Sequence, residues 1–487
     1  MKTAFPSASA STPVSRVVVL TVLSAAALLT ACANFGPDHV PLASSTPAAL
    51  GLNDANSIPV APRWWASLSD PRLDQLVDQA LQGSPTLAVA RARLDRAGSL
   101  AEISRASAAP QASLAAEVSR QRYTENGLIP PPIAGSVRDN ATLQGNFSWA
   151  PDWFGGHAAD IAAALGQARA AQADVASAAT ALAAQVSRAY VALARLLAQR
   201  EVAQRALAQR DEALGLTRQR TSAGLDSQVE LTQAEGALPD ARAQIEALDE
   251  QVMLARRQIA VLTGQAPNAL DDLSPRLAAL ALDNIPVALG ADLLGRRPDV
   301  VAARWRVEAA TQDVTMARTQ FYPNINLTAF IGLNALGLGN LIDVGSRQYG
   351  ITPALRLPLF DGGRLRAQLG GRQADLDGAI AQYNSVLLDA VKEAGDAIAS
   401  GQSLERQQRE QAASLASAEK AYAFSVQRYQ AGLSGFLVVL ASESQLLVQR
   451  RLAVDLRARQ FDTRVALMKA LGGGWTDDSA SLNVATH

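Results

Sequence analysis

The most chemically suggestive spacing in the chain is Ser417-Ala418-Glu419-Lys420. An S-x-x-K run sets a serine hydroxyl one helical turn from a lysine amine, an arrangement that serves acyl transfer in some serine enzymes. Here it falls inside a long helical run with no companion motif, and it reads as helix surface. The three histidines, His39, His157 and His487, are isolated from one another, so no triad and no metal set assembles from them. The phosphate-cradling patterns G-x-x-x-x-G-K and G-x-G-x-x-G do not occur. The residues therefore predict a non-enzymatic chain with no catalytic residues, no metal and no cofactor other than a covalent lipid.

That lipid is expected on Cys32, the single cysteine, which leaves no partner for an intrachain disulfide or a thiolate cluster. Lys2 and Arg16 are the only charges before it, and residues 17–29 form an apolar run too short to span a bilayer. Leu29-Thr30-Ala31-Cys32 then reads as a lipobox, so residues 1–31 form a signal peptide and Cys32 carries diacylglycerol and palmitate. Several acyl chains suffice for stable anchoring. Ala33 follows, and resemblance to other bacterial lipoproteins implies sorting to the outer membrane. Residues 32–62, rich in Pro, Ala and Ser, read as the lipid-anchored tether. A formal net charge of −1 over 487 residues gives no basic footprint for nucleic acid.

Beyond the tether the chain repeats itself. Ser84-Pro85 and Arg297-Pro298 each open a helical run, 213 positions apart. Ala223-Gly224-Leu225 and Ala431-Gly432-Leu433 match at an offset of 208. A first repeat over residues 63–289, a second over 290–475 and a C-terminal tail over 476–487 follow. Residues 157–221 contain no proline and predict a helix of roughly 100 Å. Leu182, Val186, Ala189, Leu193 and Leu196 form a coiled-coil seam along it, and Leu387, Val391, Ala394 and Ile398 do so in the second copy. Gly224 breaks the first long helix, with Asp226 or Ser227 capping a return helix that ends near Leu262 and bends at Pro239. Helices this long must pack beside other long helices.

Between the helices lie alternating segments. Leu143, Phe147 and Trp149 alternate with polar neighbours, as do Ile325, Leu327, Ala329 and Ile331, and Tyr349, Ile351, Leu355 and Leu357. Residues 111–123 form a weaker fourth case. Each is about the ~9–11 residues that a tilted strand needs to cross a membrane. Residues 125–139 and 334–348 read as the loops between paired strands. Period alone also fits a soluble hairpin with one wet face. Four strands are too few to close a barrel, and open edges are forbidden in hydrocarbon, so membrane-crossing strands require several chains to share one barrel.

Several stretches resemble one family. They are Trp64-Trp65 with Asp70-Pro71-Arg72-Leu73, the mid-chain Leu293-Leu294-Gly295-Arg296-Arg297-Pro298-Asp299-Val300, then Tyr322-Pro323-Asn324-Ile325, Pro358-Leu359-Phe360-Asp361-Gly362-Gly363-Arg364 and Arg428-Tyr429-Gln430-Ala431-Gly432-Leu433. The chain is similar to bacterial outer-membrane efflux channels of the TolC/NodT type. The resemblance implies a mainly α fold with a small β part: tandem-duplicated long helical hairpins forming a periplasmic α-barrel, and four transmembrane strands per protomer completing a twelve-stranded barrel in a homotrimer. It implies a passive exit duct in the outer membrane, working with a periplasmic adaptor protein and an inner-membrane pump. It assigns adaptor docking to Ala223, Gly224, Leu225, Ala431, Gly432 and Leu433. Its periplasmic gate often uses acidic residues just after the second turn, where this chain has Val438 and Ala441; Glu443 and Glu230 lie nearby, as gate lining or as solvated helix-face charges. Arg304 stands where the signature usually has glutamate. Alternatives are a duct for secreted proteins and a non-transport periplasmic coiled-coil lipoprotein. Replacing Cys32 with serine is expected to abolish incorporation of labelled palmitate into the chain; retained label would place the acyl chains elsewhere.

Overall fold

Asp70 starts the helical order. Its carboxylate accepts the Arg72 amide at 2.9 Å, Pro71 fills the first helical position where no N–H is needed, and α1 (Pro71–Gly83) follows. Pro85 does the same for α2 (Pro85–Ala108) and Pro298 for α5 (Pro298–Thr319). The computed structural model describes residues 39–45, 60–281 and 296–476. The signal peptide, Cys32, most of the tether, Leu293-Leu294-Gly295 and nearly all of the C-terminal tail lie outside the described residues.

Each half of the chain repeats one order of elements. The first has α2, β1 (Gln111–Arg122), β2 (Val137–Trp149), α3 (Gly156–Ser222) and α4 (Gln228–Leu262). The second has α5, β3 (Asn324–Leu336), β4 (Arg347–Arg356), α6 (Arg364–Gln430) and α7 (Phe436–Ala470). The long helices α3 and α6 both have 67 residues, and the return helices α4 and α7 both have 35. α4 runs through Pro239 without ending.

The chain divides into two compact units. One contains Ala97–Ala168 and Arg306–Ala381, hence the whole sheet and the helix ends that adjoin it. The strands pair antiparallel in the order β1-β2-β3-β4. The ladders run without a bulge, with Leu114 opposite Gly145, Gly145 opposite Ile331 and Ile331 opposite Tyr349. β2 and β3 exceed the expected length, at 13 residues each, while β1, with 12, lies within the expected 111–123 and β4 has 10. The reason is that ladder bonds continue into segments expected as loops. Val137, Arg138 and Asp139 pair with β1, and Asn334, Ala335 and Leu336 pair with β2.

The other unit contains Ser44–Arg96, Arg169–Trp305 and Gln382–His487. Its main core joins Trp64, Trp65, Leu73 and Leu76 to Leu182, Val186 and Leu193 of α3 and to Phe461 and Val465 of α7. The opening motif thus covers the middle of the expected seam. The mid-chain signature also acquires a physical reason. Arg297, only 4% exposed, donates to Asp299 at 2.6 and 3.0 Å, to Glu393 of α6 at 3.0 Å and to the Ala470 carbonyl at the end of α7 at 3.2 Å. One guanidinium therefore ties the start of α5 and the end of α7 to the middle of α6. Burial opposes the charge on Asp299, but the Arg297 hydrogen bonds and charge outweigh it and hold the carboxyl below its ordinary range. Gly472 lets this junction close: a Cβ there would lie 2.2 Å from the Arg296 carbonyl, and its φ of +90° already favours glycine. Arg297→Met should lower the heat-dissociation midpoint of the folded protein, corresponding to about 2–3 kcal/mol because the partner carboxylates are partly solvated. Gly472→Ala should do so through steric clash while leaving the charges intact. Unchanged midpoints for both would show that this junction does not hold the fold.

Candidate functional site

Two surfaces carry functional geometry, one in each unit. In the helical unit, α3 and α6 end in the same way. Gly224 and Gly432 adopt φ of +74° and +73°. At the first turn Leu225 N donates to Arg220 O at 2.9 Å and Gly224 N to Thr221 O at 3.0 Å. At the second, Leu433 N donates to Arg428 O at 2.8 Å and Gly432 N to Tyr429 O at 3.0 Å. This pattern satisfies the last carbonyls of the helix and turns the chain sharply. All six expected docking residues, Ala223, Gly224, Leu225, Ala431, Gly432 and Leu433, are exposed in these turns. Leu225 is 66% and Leu433 68% exposed, with Val229, Leu437 and Val438 exposed beside them.

The turns are held by a polar network spanning both repeats. Arg220 donates to Asp226 at 2.9 and 3.2 Å, Tyr429 Oη donates to Asp226 Oδ2, and Thr217 Oγ1 lies 3.0 Å from Tyr429 Oη. The Arg220 guanidinium also sits 4.7 Å from the centre of the Tyr429 ring. Burial pushes the Asp226 carboxyl up, but the hydrogen bonds from Arg220 and Tyr429 and the Arg220 charge hold it below its ordinary value. Burial and the Asp226 hydrogen bond push the Tyr429 phenol up. The sequence motifs contained Tyr429 and Asp226, but gave no sign that they meet.

The two return helices start differently. Ser227, one of the two expected caps, forms a reciprocal capping box with Glu230, whose carboxylate accepts the Ser227 amide at 3.0 Å. The Ser227 hydroxyl and the local amides hold Glu230 below its ordinary range. In α7 the cap position is Gly435, without a side-chain bond, and a cap is typically worth about 1 kcal/mol. Glu443 is not a solvated helix-face charge: it is 5% exposed, and accepts from Arg210 Nε at 3.0 Å. The partner lies in the other repeat, where local sequence gives no hint of it. Val438 and Ala441 are exposed. Ser417 of the S-x-x-K run is also exposed, and its hydroxyl bonds the Ala413 carbonyl at 3.0 Å, as a helix-surface serine does. Arg304 lies 5.7 Å from the Trp305 ring centre, with Arg169 at 4.5 Å. Among the described residues no group of His, Cys, Asp and Glu is arranged to hold a metal.

In the other unit, the sheet has two chemically opposed faces. The register places Leu114, Val118, Phe147, Ile331, Ile351 and Leu355 on one face. Asn146, Thr142, Asn334, Gln144 and Gln348 lie on the other, where Asn334 donates to Thr142 at 2.8 Å and Gln348 to Gln144 at 2.9 Å. The apolar face is open: Ile331, Ile351 and Tyr349 are 72%, 75% and 83% exposed. A continuous apolar surface of this kind marks a lipid or partner contact. Among the described residues β1 and β4 have no second strand partner.

The sequence profile described as Outer membrane efflux protein matches residues 76–265 and again 289–473. The chain belongs to the outer membrane efflux protein family. It is an outer-membrane efflux channel, and its large helical part is periplasmic. It is similar to the multidrug resistance outer membrane protein MdtP of Escherichia coli (strain K12), at 30% identity over 95% of this chain and 97% of that protein. It is also similar to the fusaric acid resistance protein FusA of Burkholderia cepacia, at 35% identity over 73% of this chain and 69% of that one. The crystal structure of the outer membrane protein VceC from Vibrio cholerae superposes with a TM-score of 0.80 at 35% identity, covering 85% of this chain and 99% of VceC.

The turn network generates a direct test. With spin labels at positions 223 and 431, Asp226→Asn or Tyr429→Phe is expected to broaden the distance distribution between the turns; an unchanged distribution would show that other contacts hold them. Because the folded pKa of Asp226 lies below its ordinary 3.8, its stabilisation is complete above that value and is lost as pH falls through the folded pKa. The narrow distribution should therefore persist at pH 5 and widen only in stronger acid.

Proposed function

We propose that three copies of this chain pool their sheets into one twelve-stranded barrel and their long helices into one periplasmic tunnel. The observation that carries this reading is the sheet itself: one apolar face, one polar face, and two unpaired edges. In hydrocarbon each unpaired backbone group costs several kcal/mol, so closure by further copies is the low-energy arrangement. The polar face then lines the bore, and no energy-transducing motif is needed in the chain. The duct is passive, and the names of MdtP and FusA support small toxic compounds or drugs as its cargo.

An inner-membrane pump supplies the energy and a periplasmic adaptor bridges to it. The adaptor docks at the two turns, with Leu225 and Leu433 offering apolar area and Gly224 and Gly432 letting a partner backbone approach closely. The closed end is lined by Val438 and Ala441 rather than by an acidic ring, since Glu443 is engaged with Arg210 and Glu230 with Ser227. Cys32 carries the diacylglycerol and palmitate that anchor the tether.

Two measurements test this. Purified full-length protein in planar bilayers is expected to give discrete conductance steps, and a complete absence of pores would contradict the duct. In cells lacking the gene, wild-type protein should restore drug tolerance, whereas Leu225→Asp combined with Leu433→Asp should not, at equal outer-membrane levels. Full restoration by the double variant would move docking away from the turns.

A further inference from the structure

The outward face of the sheet is charged at one end only. Along β1 it presents Ala112, Leu114, Ala116, Val118, Arg120 and Arg122; along β4 it presents Arg347, Tyr349, Ile351, Pro353 and Leu355. β2 adds Asp139 at the same end. Three arginines therefore oppose one carboxylate at the end nearest the hairpin loops. At the helix end this face holds Trp149, Ile325 and Leu355 and no charge, and the neighbouring Arg356 belongs to the polar face. Since the helical part is periplasmic, the charged end meets the external leaflet.

These arginines are loosely held. Arg120 Nε lies 3.8 Å from Asp139 and Arg122 lies 3.3 Å from Glu125, with the two arginine side chains 75% and 69% exposed. Exposed pairs of this kind contribute about 0–1 kcal/mol. Arg347 is exposed at the first position of β4. Neither carboxylate consumes the guanidinium forks, which match phosphate oxygens bidentately.

β1 and β4 are the two edges. Antiparallel closure sets the distal end of β1 beside the first residues of β4 from the next copy, so Arg120 and Arg122 of one chain come beside Arg347 of its neighbour. We propose that each such seam binds the phosphate groups of the phosphorylated glycolipid in the external leaflet, with Tyr349 and Val118 packed against its acyl chains. This rests on the closed-ring reading, and the site is incomplete without the neighbouring copy. The uncharged helix end of the same face gives the recognition its direction: phosphate chemistry at the outer rim and ordinary interfacial packing at the inner one.

The test uses full-length protein reconstituted into phosphatidylethanolamine nanodiscs containing either bisphosphorylated lipid A, its dephosphorylated form or phosphatidylglycerol. Lipid retained through detergent exchange is quantified by mass spectrometry. Bisphosphorylated lipid A should be retained at least several-fold over the other two. Arg347→Gln should lower retention as much as Arg122→Gln, and the triple variant with Arg120→Gln should lose about tenfold. Arg→Lys variants should keep part of the binding, and heat-modifiable gel migration checks that every variant still assembles. Equal retention of phosphatidylglycerol, or no loss in an assembled triple variant, overturns the proposal. A wild-type protein that migrates as a monomer without heating overturns the closed ring instead, and the gel shows that independently of any lipid result.

Discussion

Every backbone N–H and C=O on the outer edges of β1 and β4 needs a partner, and hydrocarbon supplies none. That constraint organises the molecule. A sheet of four strands with an apolar outer face and a polar inner face is stable in a membrane only when its edges meet other edges. In the proposed ring, Asn146, Thr142 and Gln144 face a shared bore and Ile331 and Ile351 face lipid. A self-contained soluble sheet would instead have its apolar face covered, whereas among the described residues Ile331 and Ile351 stay open.

Duplication solves the helical half by the same economy of parts. Matched helices of 67 and 35 residues give each repeat an equal reach, and the two repeats are then fastened at chosen points. Arg297 joins the start of α5 to α6 and to the end of α7. Arg210 and Glu443 join the repeats part-way along the return helix, and Asp226 and Tyr429 join them at the turns. These contacts differ in strength. The Arg297 junction is buried and multiply bonded, whereas the turns rest on a small network beside exposed leucines, and α7 begins without a side-chain cap. The molecule is thus fixed in its middle and weakest where a partner would arrive.

Much of this was legible in the residues. The offset between proline pairs gave the duplication, the alternation at Leu143–Trp149 and Ile325–Ile331 gave the strands, and the glycine turns fell where Gly224 and Gly432 bend the chain. The sequence places the start of β2 too late because Arg138 and Asp139 are charged at a rim where loop residues are expected, yet they pair with β1. The burial of Glu443 is not legible in the sequence because its partner Arg210 is in the other repeat, and a pairing at that separation leaves no local pattern. The signature around Arg297 is visible as a resemblance, but its reason, a guanidinium shared by Asp299, Glu393 and the Ala470 carbonyl, exists only once the start of α5, the middle of α6 and the end of α7 meet.

The central claim is the copy number that closes the sheet. Sedimentation equilibrium of the full-length protein, extracted in density-matched detergent and kept unheated, measures it directly. Three chains per particle is the expected result. A single chain, above all one released from membranes without detergent, would contradict the account, because four strands cannot close a barrel alone.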